Sequence, residues 1–441
     1  MSAGPSQSSN AAPASRSGEA EPPHSSAYAN YVLVVVFLIL VSNLLDRQLL
    51  AILVPSIQAE LAVSDTAMGL LTGVAFALFH AAAAFPVARW ADRGVRRSII
   101  ALGVFGWSAL TMLSGAAQSF AHLCVARIGV GIAQAAGGPP VQSLLADYFP
   151  PERRATALAI LSMGGGVGML LAMLVGGWVN ELHGWRWAFF VAGAPGLALA
   201  LIVRFSVAEP LRGATERVSV DASSYDMREV LRFLARLPSF RHLLAGAALH
   251  AFASFGASVW LPTFLVRVHG LGTAEIGSWL ALAGLGGMVG VVGGGVLADR
   301  LGRRDPRWYM LVPALATLVG VPFIVLFLVW PEMPAGFGFF ACASIVGGMW
   351  AGPTFAMVQG LAKVSMRSTA AAVTTLATNL AGLGLGPIVV GGLSDLLTPE
   401  YGPLALRYAL LCVVIAHPWA AVHHWLASRT LAQDLRAKES G

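Results

Sequence analysis

The chain has 441 residues, of which 56% are hydrophobic and only 11% are charged. A soluble domain carries roughly 25% charged residues, so this chain has too few charges to cover a water-facing surface. The net charge of +6 does not gather in a basic stripe apart from the apolar segments, which argues against nucleic-acid binding. Cys124, Cys342 and Cys412 lie in apolar segments at irregular spacing, and they predict neither a disulfide framework nor a metal site.

In chain order, a polar tail precedes a long series of apolar segments. Residues 1–27 are rich in Ser, Ala and Pro and lack the apolar stretch of a signal peptide, so we expect a disordered cytosolic tail. Twelve segments near or above the ~20 residues that cross a bilayer follow. These predicted spans are 28–56, 66–90, 98–117, 120–148, 154–180, 185–205, 240–267, 273–298, 308–330, 335–361, 367–393 and 404–427.

The spans predict an all-α membrane protein of twelve transmembrane helices in two six-helix halves. The N-terminal half covers 28–205 and the C-terminal half covers 240–428. Residues 206–239 form a central loop in which MREVLRFLARL predicts a short amphipathic helix on the inner membrane surface. Residues 429–441 are expected to be a second cytosolic tail.

The loops after even-numbered spans hold most of the arginines. The positive-inside rule therefore places these loops, and both chain termini, in the cytoplasm. The most distinctive of these loops is repeated, as WADRGVRR at 90–97 and LADRLGRR at 297–304. An aspartate at the end of a span can cap a helix and pair with arginines across the two halves. A loop repeated once per half between membrane-length segments indicates a duplicated transporter.

These features together resemble the major facilitator superfamily and its motif G-x-L-A-D-R-x-G-R-R. The resemblance covers essentially the whole chain beyond the first tail, and it implies that the two loops gate transport by locking the outward-facing state. The first copy has Ala88 and Val95 where the motif has glycine. The second copy matches at every position. The implied gating residues are Asp92, Arg93, Arg96, Arg97, Gly295, Asp299, Arg300, Gly302, Arg303 and Arg304.

Within that superfamily the chain is most similar to the bacterial spinster-like branch. The residues that carry this similarity are SNLLDRQLLAILVPSIQAEL from residue 42, RIGVGIAQA, LADYFP at 145–150, WLPTFLVRVHG at 260–270 and NLAGLGLGPIVVGGLSD at 379–395. The resemblance implies an amphiphilic substrate such as a lysophospholipid or a sphingoid phosphate. It also implies that Asp46 and Arg47 take part in proton coupling.

Asp46 and Arg47 lie midway along the first span. A charge near the centre of a bilayer costs about 2.5–3.5 kcal/mol on insertion scales, so both side chains should face protein or a water-filled cavity. Protonation of Asp46 would release Arg47 or another cation and couple proton movement to helix rearrangement. The alternative is an internal ion pair that only holds helices together.

The fourth span holds a second buried cation. Arg127 is charged at any relevant pH and needs an acidic partner or an anionic ligand inside the bundle, unless it reaches water at the interface. The resemblance implies a role in proton transfer or substrate anchoring. Gln134 stands where the spinster-like branch has glutamate. A glutamine carries no proton, so either Asp46 alone handles the proton or transport is facilitative.

Other polar residues within the spans are candidates for substrate binding. We expect the binding residues to be Asn43, Arg127, Gln134, His250, Trp260 and Asn379. His250 is favoured because Pro262 should break the seventh span nearby, although a lone histidine in an apolar helix is more often a satisfied interhelical contact. Asn379 begins a glycine-rich stretch of the eleventh span.

These observations predict a secondary transporter of the bacterial inner membrane that acts by alternating access. No nucleotide-binding loop of the form G-x-x-x-x-G-K-[ST] is present, and no hydrolase motif favours an enzyme. We expect a small amphiphilic or organic-anion substrate, protons and the bilayer as partners, no cofactor or metal, and a monomer. The alternatives are a facilitative uniporter, a drug or metabolite exporter and, more remotely, a non-transporting receptor.

Overall fold

The computed structural model describes residues 25–210, 227–363 and 366–439. Every regular element within these ranges is helical. Eleven stretches are long and apolar enough to cross a membrane, and the last of them, Arg367–Arg436, contains two helices that fold back on one another. The described chain therefore has the twelve spans of the predicted fold, as expected where lipid leaves main-chain groups no water to bind.

The spans keep their predicted order. In the N-terminal half they are span 1, Ser26–Leu61; span 2, Asp65–Leu70, Leu71–Ala75 and Phe76–Arg93; span 3, Arg96–Gly115; span 4, Phe120–Gln134, Ala135–Gly137 and Pro139–Tyr148; span 5, Pro151–His183; and span 6, Trp185–Ser206. In the C-terminal half they are span 7, Pro238–His269; span 8, Thr273–Gly302; span 9, Trp308–Val329; span 10, Met333–Gly348 and Ala351–Leu361; span 11, Arg367–Asn379, Leu380–Leu385 and Gly386–Tyr401; and span 12, Ala405–Val414 and Ala416–Glu439.

Serine and glycine set several of the helix ends. The side chains of Ser25, Ser64 and Ser119 each accept a hydrogen bond from a main-chain N–H in the first turn of the helix that follows. Gly184 and Gly270 end spans 5 and 7 with φ of 86° and 67°. A positive φ is energetically unfavourable for residues that carry a side chain. The tight turns keep consecutive spans antiparallel and adjacent.

The outer surface of the bundle is apolar. Val125 is 72% exposed and Phe205 is 79% exposed, which in water would be unfavourable but suits contact with lipid. We call the end that holds Ser25 and the end of span 12 the terminal end, and the opposite end, where spans 1, 5, 7 and 11 finish, the distal end. The predicted orientation makes the terminal end cytoplasmic.

The two halves meet through spans 2 and 11 and through spans 5 and 8. Glycine allows close approach of the main chains there. The main chain at Pro387 occupies the space where a side chain on Gly69 would lie. The main chain at Thr273 likewise occupies the space beside Gly177. Both span 2 and span 11 contain a π-helical turn, Leu71–Ala75 and Leu380–Leu385, where they face each other. A wider turn is a frequent feature of functional helices.

Several predicted details differ in the structure. Span 7 is continuous through Pro262, because the neighbouring residues Leu261, Phe264 and Leu265 are packed on all sides and hold the helix in place. Span 12 continues to Glu439, so the predicted tail 429–441 is helical as far as that residue. The reason is burial, since Leu431 is fully enclosed.

The predicted amphipathic helix is present as Met227–Arg236. Val230 and Leu234 pack with Met310 and Val358 of the C-terminal half, so its apolar face covers protein. The predicted first tail, except its last residues, and residues 211–226 of the central loop lie outside the described residues.

Filling the close contact at Gly177 should force the distal end apart. A valine there would collide with the main chain of Thr273. Spin labels at the exposed His183 and Glu275 should then report a longer separation in Gly177→Val than in the unsubstituted chain. Gly338→Val is the matched control, because nothing lies within 4 Å of a side chain placed there. Equal separations in the two variants would contradict this role for the contact.

Candidate functional site

The carboxylate of Asp46 is the buried centre of the N-terminal half, with only 2% exposure. Arg127 Nη1 donates to Oδ1 at 3.0 Å, and Thr111 Oγ1 donates to the same oxygen at 2.6 Å. Gln134 Nε2 donates to Oδ2 at 2.7 Å. Spans 1, 3 and 4 are therefore joined through one carboxylate. Arg127 and Gln134 reach it together because they lie seven residues apart, on the same face of span 4.

Gln134 contacts span 1 through its amide nitrogen. Its Nε2 lies 3.5 Å from the main-chain oxygen of Asn43, one turn before Asp46. Its Oε1 is buried without a hydrogen-bond partner among the described residues. The predicted residues Asn43, Asp46, Arg127 and Gln134 thus form a single buried cluster.

Arg47 stands apart from that cluster. Its guanidinium lies 4.8 Å from the centre of the Phe76 ring, on span 2, and its Nε is buried without a hydrogen-bond partner. Among the described residues Arg47 forms no ion pair, so the sequence neighbours Asp46 and Arg47 do not pair with each other. The His80 ring also stacks on the Phe76 ring, with the ring centres 5.6 Å apart.

A cavity of about 500 Å³ lies on the C-terminal side of the interface. Its volume is in the range of small-molecule sites. Its walls come from spans 7, 8, 9, 10 and 12, with Gln48 of span 1 and Met169 of span 5 closing one side. Most of the lining is apolar. The polar part includes Gln48, several hydroxyl groups and two histidines. The His250 ring lies 4.4 Å from that of Trp350 and 5.1 Å from that of His417.

Of the six predicted binding residues, His250 lines this cavity, whereas Asn43, Arg127, Gln134, Trp260 and Asn379 do not. Trp260 is fully buried and donates its indole N–H to the main-chain oxygen of Pro387 at 2.8 Å, so it fastens span 7 to span 11. Asn379 is partly exposed at the end of the first segment of span 11, immediately before the π-helical turn. Neither residue is among those that line the cavity.

The distal end is closed by a network of charges that crosses between the halves. Arg267 of span 7 donates to both carboxylate oxygens of Asp65, at 2.7 and 2.6 Å, and to Gln58 Oε1 at 2.9 Å. Asp395 of span 11 accepts from the main-chain N–H groups of Asp65 and Thr66 at 3.0 and 2.8 Å, at the first turn of span 2. Bidentate arginine pairs and a carboxylate at a helix start are both stabilising.

The repeated loops lie at the terminal end. Asp299 is exposed and accepts a hydrogen bond from Tyr309 Oη at 2.8 Å, within its own half. Gly302 is required for this contact, because the Tyr309 ring occupies the space where a side chain would stand. Arg300, Arg303 and Arg304 are exposed, and Gly295 has open space beside it.

The first copy of the loop is more buried than the second and forms more contacts within its own half. Arg96 is 2% exposed and forms ion pairs with Asp147 at 2.5 Å and Glu209 at 2.8 Å. Arg97 donates to the Val207 oxygen, also within the N-terminal half, and Arg93 is exposed. The side chain of Asp92 lies outside the described part of the structure.

Comparison with known proteins agrees with this architecture. The model of the Major Facilitator Superfamily matches residues 36–387. The chain belongs to the major facilitator superfamily.

Individual relatives point to one branch of this superfamily. The crystal structure of a bacterial homologue of the human lysosomal transporter spinster, inward-facing and unoccupied, superposes with a TM-score of 0.86 at 30% identity, covering 93% of this chain and 99% of that one. An MFS-type efflux pump of Mycolicibacterium smegmatis is 35% identical over 397 residues, 89% of this chain and 91% of the relative. Protein spinster homolog 1 of Xenopus tropicalis is 26% identical over 406 residues, 86% and 77% of the two chains. This major facilitator is therefore a spinster-like membrane transporter and not an enzyme.

Three groups of residues in this transporter are not predicted by its sequence pattern. Thr111 is an ordinary threonine in an apolar helix, and nothing in its surroundings in sequence marks it. The distal network, Gln58, Asp65, Arg267 and Asp395, left a signal in the form of charges at the ends of spans, but its pairing is between distant segments. The histidines on span 12 were overlooked, although three in eight residues, His417, His423 and His424, is unusual for a membrane helix.

Gln134→Glu should create a pair of carboxyl groups that share a proton. The new carboxylate would lie where Gln134 Nε2 now stands, 2.7 Å from Asp46 Oδ2. Two carboxylates at such a short distance do not both ionise. The purified variant should bind one more proton near neutral pH than the unsubstituted chain, measured by titration with a pH indicator. Gln142→Glu, on an exposed position of span 4, is the control. An equal proton count in both variants would refute the shared proton.

Proposed function

We propose that this transporter moves a single-chain amphiphile with one anionic group, such as a lysophospholipid, by proton-coupled alternating access. The observation that carries the proposal is that two adjacent charged residues of span 1 have different partners. Asp46 is neutralised by Arg127, whereas Arg47 is a partly buried cation that has no ion pair among the described residues. A cation held within a membrane without a counter-ion is most readily explained by an anionic ligand.

Asp46 is the group that would take up the proton. Its ionised form suits its surroundings, since it accepts three hydrogen bonds, one of them from a cation. A proton on Asp46 removes the partner of Arg127 and leaves that charge uncompensated, a state that costs about 3–5 kcal/mol in a buried pair. The helices that carry Asp46, Thr111 and Arg127 then gain by rearranging, which couples protonation to movement.

Gln134 fits both protonation states of Asp46. Its amide nitrogen donates to the ionised carboxylate. After rotation of the amide, Oε1, which now has no partner, can accept from the protonated carboxyl. A glutamine here therefore supports a single-proton cycle in which Asp46 alone exchanges the proton.

The substrate class follows from the surroundings of Arg47. Gln48, the next residue of span 1, lines the apolar cavity between the halves. An anionic head near Arg47 and an apolar chain in the cavity would use both features. The cavity has the volume of a small-molecule site, and its methionines, Met169, Met173 and Met288, adapt to flexible apolar chains.

The distal network supports a closed distal end in this conformation. With the terminal end in the cytoplasm, as the arginine distribution predicts, we infer that this conformation is an inward-facing state of a transporter of the bacterial inner membrane. In the outward-facing state, we expect the ion pair of Arg267 with Asp65 to break and the repeated loops at the terminal end to close.

Export of a drug or metabolite is the second candidate. The similarity to the efflux pump of M. smegmatis over 89% of this chain favours it. Flux in proteoliposomes separates the candidates: a lysophospholipid, a small organic anion and a cationic drug are tested with and without a pH gradient of either direction. Transport of the lysophospholipid driven by the gradient supports the proposal, transport of the cationic drug supports the alternative, and gradient-independent flux identifies a uniporter.

Asp46→Asn should abolish the effect of the pH gradient on flux of a fluorescent lysophospholipid in proteoliposomes, because an amide cannot exchange the proton. Thermal unfolding checks that the variant folds, and the double variant Asp46→Asn with Arg127→Gln restores charge balance without restoring coupling. Asp305→Asn, at the terminal end, is the control. If Asp46→Asn responds to the gradient as the unsubstituted chain does, Asp46 only holds helices together.

Arg47→Gln should weaken binding of an anionic lysophospholipid more than that of a zwitterionic one. A hydrogen bond to a charged group contributes about 1.5–3 kcal/mol, which is roughly ten- to hundredfold in affinity. Arg89→Gln is a matched control, since Arg89 also lies over an aromatic ring, Phe85 at 5.0 Å, but is exposed. Equal losses for both lipids in Arg47→Gln would mean that Arg47 does not bind the anionic group.

A further inference from the structure

Six of the ten histidines of the chain lie on two adjacent helices, spans 7 and 12. His269 is at the distal end of span 7, apart from the other five. His242 and His250 are eight residues apart on span 7, with Gly246 midway, so all three positions lie along one face. His417 and His424 are seven residues apart on span 12, which is two helical turns. The matching periodicities place the imidazoles side by side along the contact between the two spans.

The contacts form a row from the terminal end toward the cavity. His242 and His423 are partly exposed, with their Nδ1 atoms 3.0 Å apart. His424 is fully buried over Gly246, where a side chain would come within 3.1 Å of its ring. Beyond it, His250 and His417 line the cavity with ring centres 5.1 Å apart.

Packing alone does not account for these imidazoles. Both ring nitrogens of His424 are buried without a hydrogen-bond partner among the described residues. A neutral imidazole always carries one N–H donor, and a buried donor without an acceptor is unfavourable. Gly246, against which His424 packs, is one helical turn from His242 and one turn from His250 along span 7. Water molecules between polar groups would connect His424 to these neighbours.

We propose that this histidine row conducts protons between the terminal end and the cavity, as a second route that does not pass through Asp46. The inference extends the proposed proton-coupled transport, on which it rests. Each ring takes up a proton at one nitrogen and releases another from its second nitrogen, so no ring holds net charge after a full transfer. A proton that stays on His250 or His417 gives the otherwise apolar cavity a positive charge beside the substrate.

The surroundings of the row hold few competing charges. Thr317 Oγ1 of span 9 lies 3.3 Å from His250 Nδ1, and the Trp350 ring lies tilted against the His250 ring. Ser254 Oγ lies 3.5 Å from His417 Nε2. Near the terminal end, Asp434 is occupied by Ser239, from which it accepts two hydrogen bonds. The ion pairs found among the described residues involve none of the five histidines. Proton transfer along the row is therefore not blocked by a carboxylate that would hold the proton.

Trp350 is a built-in reporter of the inner end of the row. A protonated imidazole quenches indole fluorescence, and the His250 ring is 4.4 Å from that of Trp350. The full chain in nanodiscs, corrected with Trp350→Phe, should lose emission as the pH is lowered below the range in which an exposed histidine titrates, since burial disfavours the charged ring. After a rapid pH jump, His424→Phe should slow this response by about tenfold or more, because it interrupts the row while filling the same space.

His122→Phe, at an exposed position of the other half, should respond as fast as the unsubstituted chain. Asp46→Asn should also leave the rate unchanged, so failure of the row and failure of the Asp46 coupling are distinguishable. Where His424→Phe does not fold, the pair His242→Phe and His423→Phe interrupts the partly exposed end instead. A Trp350 signal that does not depend on pH, or a rate unaffected by these variants, would overturn the proposal.

Discussion

The ion pair between Asp46 and Arg127 is the interaction around which the N-terminal half is organised. Both side chains are almost completely buried, at 2% and 3% exposure, where an unpaired charge is far more costly than in water. Removing either partner leaves the other charge uncompensated, so spans 1 and 4 are held in register as long as Asp46 is ionised. Thr111 adds span 3 to the same carboxylate. One protonation event can therefore change the packing of three helices.

The C-terminal half uses polar groups differently. It holds the cavity, whose walls are mainly apolar, and its buried polar residues among those described are histidines, hydroxyl groups and Asp434, which accepts hydrogen bonds from Ser239. The two halves are fastened to each other at the distal end by Arg267, Asp65 and Asp395, and by glycine contacts between main chains. The strong polar contacts described here are thus within the N-terminal half and at the distal end.

Much of the fold could be predicted from the sequence, because membrane-length apolar runs and arginine-rich loops are local signals. The twelve spans, the family and the short helix at 227–236 are confirmed. Pro262 misled the analysis for a physical reason: proline removes one hydrogen bond, but packing around Trp260 keeps span 7 helical. The end of span 12 was missed because its last turns are polar and are held by burial against neighbouring helices.

What the sequence determined by itself is the kind of protein and the residues that carry charge inside the membrane, since both depend on composition and on spacing along one helix. Only the tertiary structure decided which charges meet. Asp46 is adjacent to Arg47 in sequence, but successive residues of a helix point about 100° apart, so Asp46 faces span 4 and binds Arg127 whereas Arg47 faces Phe76 of span 2. The same holds for Arg267 and Asp65, and for the histidines of spans 7 and 12: their partners are chosen by helix packing between segments far apart in the chain.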